Sequence, residues 1–146
     1  MENKKRAPQD FNVGRAVSRL ERSAFTFFSR RLKPFDIGPG QQAYLLSLAP
    51  GETLPQETLA RRVGVDKANV SRALARLEMR GLVERVPAEI DGRQKPTRLS
   101  EEGIRIRQEI EGIAQEWIAM LREGVSPEEW ETFAYLIEKI AAKAAE

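Results

Sequence analysis

Residues 55–99 read PQETLARRVGVDKANVSRALARLEMRGLVERVPAEIDGRQKPTRL. Asp66 stands where a side-chain oxygen can accept from the free N–H groups of a helix's first turn, and Gly81 stands where φ > 0 ends a helix without steric cost. Between them Val70, Ala73, Leu74 and Leu77 recur at three- and four-residue spacing, one apolar stripe. The opposite face carries Lys67, Asn69, Ser71, Arg72, Ala75 and Arg76, with no acid between Asp66 and Glu78. A helix made only for solvent mixes Glu with Lys; this face is basic, with small residues among long ones.

A shorter helix precedes it, about Gln56 to Val63, with Leu59, Ala60 and Val63 inward. Ala60 is small enough for two helices to cross closely. Gly64 allows the tight turn that a Cβ would block, and Val65 plugs it. This spacing of a small residue, a glycine and a valine predicts a helix-turn-helix. After Gly81 the period shortens. Leu82–Val86 and Lys95–Leu99 are β-rich, and Pro87, Asp91 and Gly92 between them are turn formers, so a hairpin follows, with the cation Arg93 at its tip beside the carboxylate of Asp91.

The runs LARRVGVDKANVSRALARLEMRGLVER (59–85), DGRQK (91–95) and LSEEG (99–103) resemble the DNA-binding half of the multiple-antibiotic-resistance regulator (MarR) family, dimeric winged-helix proteins most of which repress transcription. The motifs cover about the central third of the chain, and the flanks match in helix order and length. One departure is Pro55, where the family often has a Ser or Thr cap; Pro suits a helix start but supplies no side-chain oxygen. The resemblance implies a mainly α (α+β) chain of one unit, residues 1–146, with a winged helix-turn-helix over 38–99 and dimerisation helices over 11–33 and 100–146.

Composition sets limits. With 146 residues and 41% hydrophobic content the chain can build one domain with a real core. No apolar run is long enough to cross a bilayer, and MENKKRAPQDF has no signal-peptide core, so a cytoplasmic location without membrane contact is expected. The chain has neither Cys nor His. That removes disulfides, thiol redox sensing, the usual zinc, copper and nickel ligands, and His-based acid–base or triad catalysis. Glu101–Glu102 and Glu128–Glu129 are carboxylate pairs, but helix-start chemistry accounts for them. Neither an enzyme nor a cofactor is expected.

Net charge is only +2, but it is unevenly spread. Residues 61–85 hold seven basic residues (Arg61, Arg62, Lys67, Arg72, Arg76, Arg80, Arg85) against three acids (Asp66, Glu78, Glu84), a local balance of +4. Arg93, Lys95 and Arg98 extend it, whereas residues 123–146 carry six acids and two lysines. A basic middle and an acidic end point to a polyanion partner for the middle.

The flanks complete the plan. Lys4, Lys5 and Arg6 lie in a polar start that is either a frayed tail or a basic arm. Phe11–Leu32 reads as a long helix with Val13, Val17, Leu20, Ala24, Phe27 and Phe28 on one face and Phe11 and Phe25 off it, more aromatic surface than so small a domain buries alone. Pro34 ends it. Gln41–Leu48 is a short helix with Tyr44, Leu45 and Leu48 inward, and Thr53-Leu54 is placed to add a third strand. Ser100 caps a helix with an Ile106, Ile110, Ile113, Trp117 stripe reaching Gly124. Ser126-Pro127-Glu128-Glu129 starts the last helix with a capping box.

The expected mechanism is DNA binding by a homodimer with two recognition helices one turn apart on a pseudo-palindromic double-stranded site. Arg72 and Arg76 would read guanine or contact phosphate, Asn69 adenine, and Ser71 base or phosphate; Lys67 would meet phosphate, and Ala68 a thymine methyl. Asp91 would hold Arg93 for the minor groove, as the resemblance implies. Arg85, Lys95 and Arg98 are backbone contacts in this reading, with an acid as the alternative partner of Arg98. Family members often release DNA on binding an anionic aromatic compound, and Phe28, Phe35, Tyr44 and Trp117 are candidates to line an effector pocket; core packing is the competing assignment for each. The other functional class is a winged helix used for protein–protein contact without specific DNA binding, which would favour acidic or apolar residues on the second helix rather than the basic ones present.

Overall fold

The structure is a computed structural model, and it describes residues 6–87 and 95–146. The first helix, α1, spans Val13–Leu32. It begins two residues later than the apolar pattern suggests because Asn12 caps it, its Oδ1 accepting from the Arg15 N–H at 2.8 Å. A 3₁₀ turn at Lys33–Phe35 follows, and Asp36 turns the chain at φ 54°. The second helix, α2, covers Gln41–Leu46, shorter than the expected Gln41–Leu48.

The helix-turn-helix is α3 (Gln56–Val63) and α4 (Lys67–Met79). Pro55 occupies the cap position of α3 and makes no side-chain cap bond, as its chemistry requires. Gly64 adopts φ 76° at the turn, which a Cβ would strain. Asp66 caps α4 through Asn69 N–H at 2.8 Å. At the other end Gly81 N–H donates to Glu78 O and Leu82 N–H to Leu77 O, both 2.9 Å, a Schellman ending that turns the chain into the hairpin.

Strands β1 (Val83–Arg85) and β2 (Thr97–Leu99) pair antiparallel, with Val83 opposite Leu99 and Arg85 opposite Thr97. The expected third strand is a single bridge, Leu54 to Thr97, closed by two backbone hydrogen bonds. Helix α5 (Glu101–Leu121) starts at the Ser100 cap and α6 (Pro127–Ala144) at the Ser126–Glu129 capping box. Among the described residues no helix is long and apolar enough to cross a membrane.

One core joins α1 to α5. Leu32, Leu45, Leu48, Leu59, Leu74 and Ile110 are fully enclosed in it. Each such side chain contributes about 1.5–3 kcal/mol of burial relative to exposure. The α4 stripe of Val70, Leu74 and Leu77 is buried, so its polar face points out. Arg80 closes the frame: its guanidinium donates to the Phe35 carbonyl at 2.9 Å and to that of Asp36, and pairs with the Asp36 carboxylate, tying the end of α4 to the α1–α2 link. By contrast, no residue of α6 is buried, and Val13, Val17 and Phe25 of α1 are exposed.

Candidate nucleic-acid interface

Packing of the α4 stripe leaves Lys67, Ala68, Asn69, Arg72, Ala75 and Arg76 exposed together. Asp66 starts a short chain of side-chain contacts on this face. Its Oδ2 accepts from Asn69 Nδ2 at 3.0 Å, and Asn69 Oδ1 accepts from Arg72 Nη2 at 2.8 Å. The Arg72 guanidinium is therefore held against the helix by a neutral amide and keeps most of its donors free. Arg76 has no ion pair among the described residues. Lys67 Nζ lies 3.0 Å from Glu57 Oε1, both well exposed, a pair worth little in water and easily exchanged for a phosphate.

Ser71 is placed differently. It is half-buried, and its Oγ accepts from Gln56 Nε2 at 2.5 Å, so the hydroxyl is engaged with α3 rather than presented outward. Arg85, expected at the DNA backbone, is half-buried too: it donates to Gln56 Oε1 at 3.1 Å and lies 3.4 Å from Glu78. Arg98 pairs with Glu84 directly across the strands at 3.0 Å, the alternative given by its sequence neighbourhood. Lys95 is exposed at the base of the hairpin. Asp91 and Arg93 lie outside the described residues.

The four aromatic residues all join the one core. Phe28 and Trp117 pack on each other at 5.8 Å between ring centroids, and Trp117 Nε1 donates to Ser23 Oγ at 3.3 Å. Phe35 is half-buried against the same cluster. Tyr44 also borders an open cleft of about 380 Å³, lined by Gln41, Val63, Asn69, Arg72, Ala73 and Arg76 along one flank of α4. Burial pushes the Tyr44 phenol pKa up, the Asp66 charge adds to this, and the Arg72 charge opposes it.

Sequence reasoning missed Gln56 and Arg80 as organising residues. Gln56 is defined by partners on α4 and β1 and Arg80 by partners in the distant α1–α2 link, so no periodicity or spacing marks either beforehand.

Comparison with known proteins agrees with this geometry. Residues 35–94 match the model of the MarR family. The chain is 25% identical over 129 residues to the uncharacterised HTH-type transcriptional regulator YybA of Bacillus subtilis (strain 168), covering 88% of this chain and 86% of that protein. Its fold is similar to a MarR family transcriptional regulator from Listeria monocytogenes solved with a 26mer DNA, at TM-score 0.86 and 20% identity over 92% of this chain and 90% of that one. It is also similar to the PcaV transcriptional regulator from Streptomyces coelicolor, solved with its natural ligand, at TM-score 0.80 and 24% identity over 96% and 99% of the two chains. The winged helix-turn-helix, with its basic outward face on α4, accords with the match of residues 35–94 to the MarR family model and with the similarity of the chain to an HTH-type transcriptional regulator.

Proposed function

We propose that the protein is a cytoplasmic homodimeric repressor that binds a pseudo-palindromic operator through residues 38–99 and dimerises through residues 11–33 and 100–146. The observation that carries this reading is the outward face of α4, where Lys67, Ala68, Asn69, Arg72, Ala75 and Arg76 are exposed together without an acid among them. Arg72 and Arg76 donate to guanine or phosphate and Asn69 to adenine, while Ala68 and Ala75 permit close approach to the groove. Ser71 acts from behind, through Gln56. Lys95, Asp91 and Arg93 serve the adjoining backbone and minor groove in this reading. Two copies related by a twofold set their α4 helices about 34 Å apart, one DNA turn.

Dimerisation is supported by the apolar side chains that α1 and α6 leave uncovered: Val13, Val17, Phe25, Phe133, Leu136 and Ile140 are all exposed in one chain. Release by a small aromatic anion is the regulatory step of this reading. Tyr44 supports it best, because an aromatic carboxylate in its cleft faces the guanidinium groups of Arg72 and Arg76 and competes with DNA for them. The PcaV relative was solved with a natural ligand, which accords with a ligand-responsive fold.

The test is fluorescence anisotropy with a labelled duplex from upstream of the protein's own gene and a scrambled duplex, at 50 and 200 mM salt. A protein neutralising six to ten phosphates loses about 10³–10⁵ in affinity over that range, and preference for the native duplex identifies a sequence-specific regulator. No binding to either duplex at low salt would overturn the reading in favour of a protein-contact module.

A further inference from the structure

Gln56 is the first residue of α3, yet the residue is only 7% exposed; it and Thr97 are the buried polar residues among those described. Its amide spans three elements. Nε2 donates to Ser71 Oγ on α4, and Oε1 accepts from Arg85 Nη1 on β1 at 3.1 Å. Arg85 also reaches back to Glu78 on α4, 3.4 Å away. The result is a closed path of polar contacts from the middle of α4 through α3 to the hairpin strand and back to the end of α4. A buried amide is costly to leave unbonded, and an amide has one donor end and one acceptor end, so hydroxyl and guanidinium cannot exchange places. The network therefore adds a directional constraint on how β1 sits beside α4, which hydrophobic packing, being non-directional, does not provide.

From this geometry we infer that Gln56 is a positioning residue for DNA binding: it fixes the hairpin relative to the recognition helix so that Lys95 reaches phosphate while α4 occupies the major groove. The inference rests on the proposed DNA-binding role of the hairpin. Gln56 itself touches no DNA; it acts through Arg85 and Ser71. The Val83–Leu99 ladder carries the effect from Arg85 to β2 and so to Lys95. Arg72, on the exposed face of α4, is outside the network and keeps its contact whatever happens to Gln56.

The experiment uses the full chain and the upstream duplex, with anisotropy measured across a salt series. Lys95→Ala in the otherwise unchanged protein is expected to weaken binding severalfold and to lower the salt slope by about 2, the mark of one lost phosphate contact in each protomer of the proposed dimer. Gln56→Leu, which keeps the volume and removes the hydrogen bonds, is expected to lower the slope by the same amount on its own. Adding Lys95→Ala to it then changes nothing further, whereas adding Arg72→Ala still costs its full effect. Gln56→Glu restores the wild-type slope, because a carboxylate accepts from both Arg85 and the Ser71 hydroxyl. A Gln56→Leu protein that melts early is replaced by Arg85→Leu, which breaks the same path from the strand and is expected to give the same result. A Gln56→Leu slope equal to wild type, with Lys95→Ala still costing its full effect, would overturn the inference while leaving the hairpin's role intact. A Lys95→Ala protein indistinguishable from wild type would overturn the hairpin's role first, and the inference with it.

Discussion

A Cβ built on Gly103 would sit 1.9 Å from the backbone carbonyl oxygen of Leu82. The first turn of α5 thus lies directly on the chain entering β1, and the two are stitched together there: Ser100 N–H donates to the same Leu82 oxygen at 3.1 Å, and the Ser100 hydroxyl donates to Gly81 O. The obstacle is backbone, not a flexible side-chain end, so nothing nearby can swing away. Gly103→Ala is expected to destabilise the fold by about 3 kcal/mol or more, as overpacking against a fixed backbone does. Urea unfolding checks it, and a midpoint within error of wild type would refute the close packing.

Arg72 is held by Asn69, which is held by Asp66, and that order makes two substitutions differ in kind. Arg72→Ala removes the proposed groove donor itself and is expected to cost about 1–3 kcal/mol on the native duplex and less on a scrambled one, as loss of a base contact does. Asn69→Ala frees the guanidinium without removing it, and is expected to reduce discrimination between the duplexes more than total affinity. Equal losses on both duplexes for Arg72→Ala would make that residue a phosphate contact.

The elements that were legible in the sequence are those whose signals are local. Asp66, Gly64 and Gly81 carry the helix-turn-helix because capping and φ > 0 are properties of a residue and its immediate neighbours. Ser126 and Glu129 mark α6 for the same reason. Boundaries slipped where a local signal competed with a pattern: α1 starts after Asn12 although Phe11 extends the apolar run, and α2 ends at Leu46 although Leu48 is fully buried beyond it. The outward face of α4 was legible as a face, because burying Val70, Leu74 and Leu77 leaves one choice for the rest of the helix. The partners within it were not. Ser71 lies toward Gln56 and Arg85 lies between Gln56 and Glu78, pairings set by where α3 and β1 pack on α4, which no spacing along the chain encodes. The aromatic residues illustrate the same limit: helical periodicity put Phe28, Tyr44 and Trp117 inward, but only packing separates Tyr44, at an open cleft, from Phe28 and Trp117, which cover each other.

Acid stability follows from three carboxylates whose pKa values lie below the ordinary 4.5. Glu116 is lowered chiefly by its hydrogen bond from Arg31, Glu52 by Arg62, and Glu102 by Arg105. A carboxylate whose folded pKa is depressed stabilises the fold above its unfolded value, and the contribution is lost as pH falls through about 4.5 and below. Melting temperature is therefore expected to be flat near neutrality and to fall on acidification below that point. Glu116 is the most informative of the three because its pair links α1 to α5, elements far apart in the chain. Glu116→Gln should make the acid limb shallower, since glutamine has no proton to take up. A limb of unchanged steepness in this variant would exclude the Arg31–Glu116 pair as a contributor.

Helix α6 begins with a complete capping box, Ser126 N–H donating to Glu129 at 2.8 Å and Glu129 N–H to Ser126 Oγ at 3.2 Å, and it stacks Trp130 on Phe133 at 5.4 Å. A helix so well started that buries no residue in its own chain supports the proposed dimer, in which a second chain would cover it. Phe133, Leu136 and Ile140 are exposed on it, while the core from α1 to α5 is closed without it. Under the proposed dimer, truncation after Gly124 is expected to leave a folded protein, with helical circular dichroism and a cooperative melt, that sediments as a monomer where the full chain is expected to sediment as a dimer. Operator affinity should fall steeply at the same time, because one α4 helix then binds without its twofold mate. A truncated chain that remains a dimer would move the interface to α1 and α5 alone; one that unfolds would show that α6 supports its own chain's core.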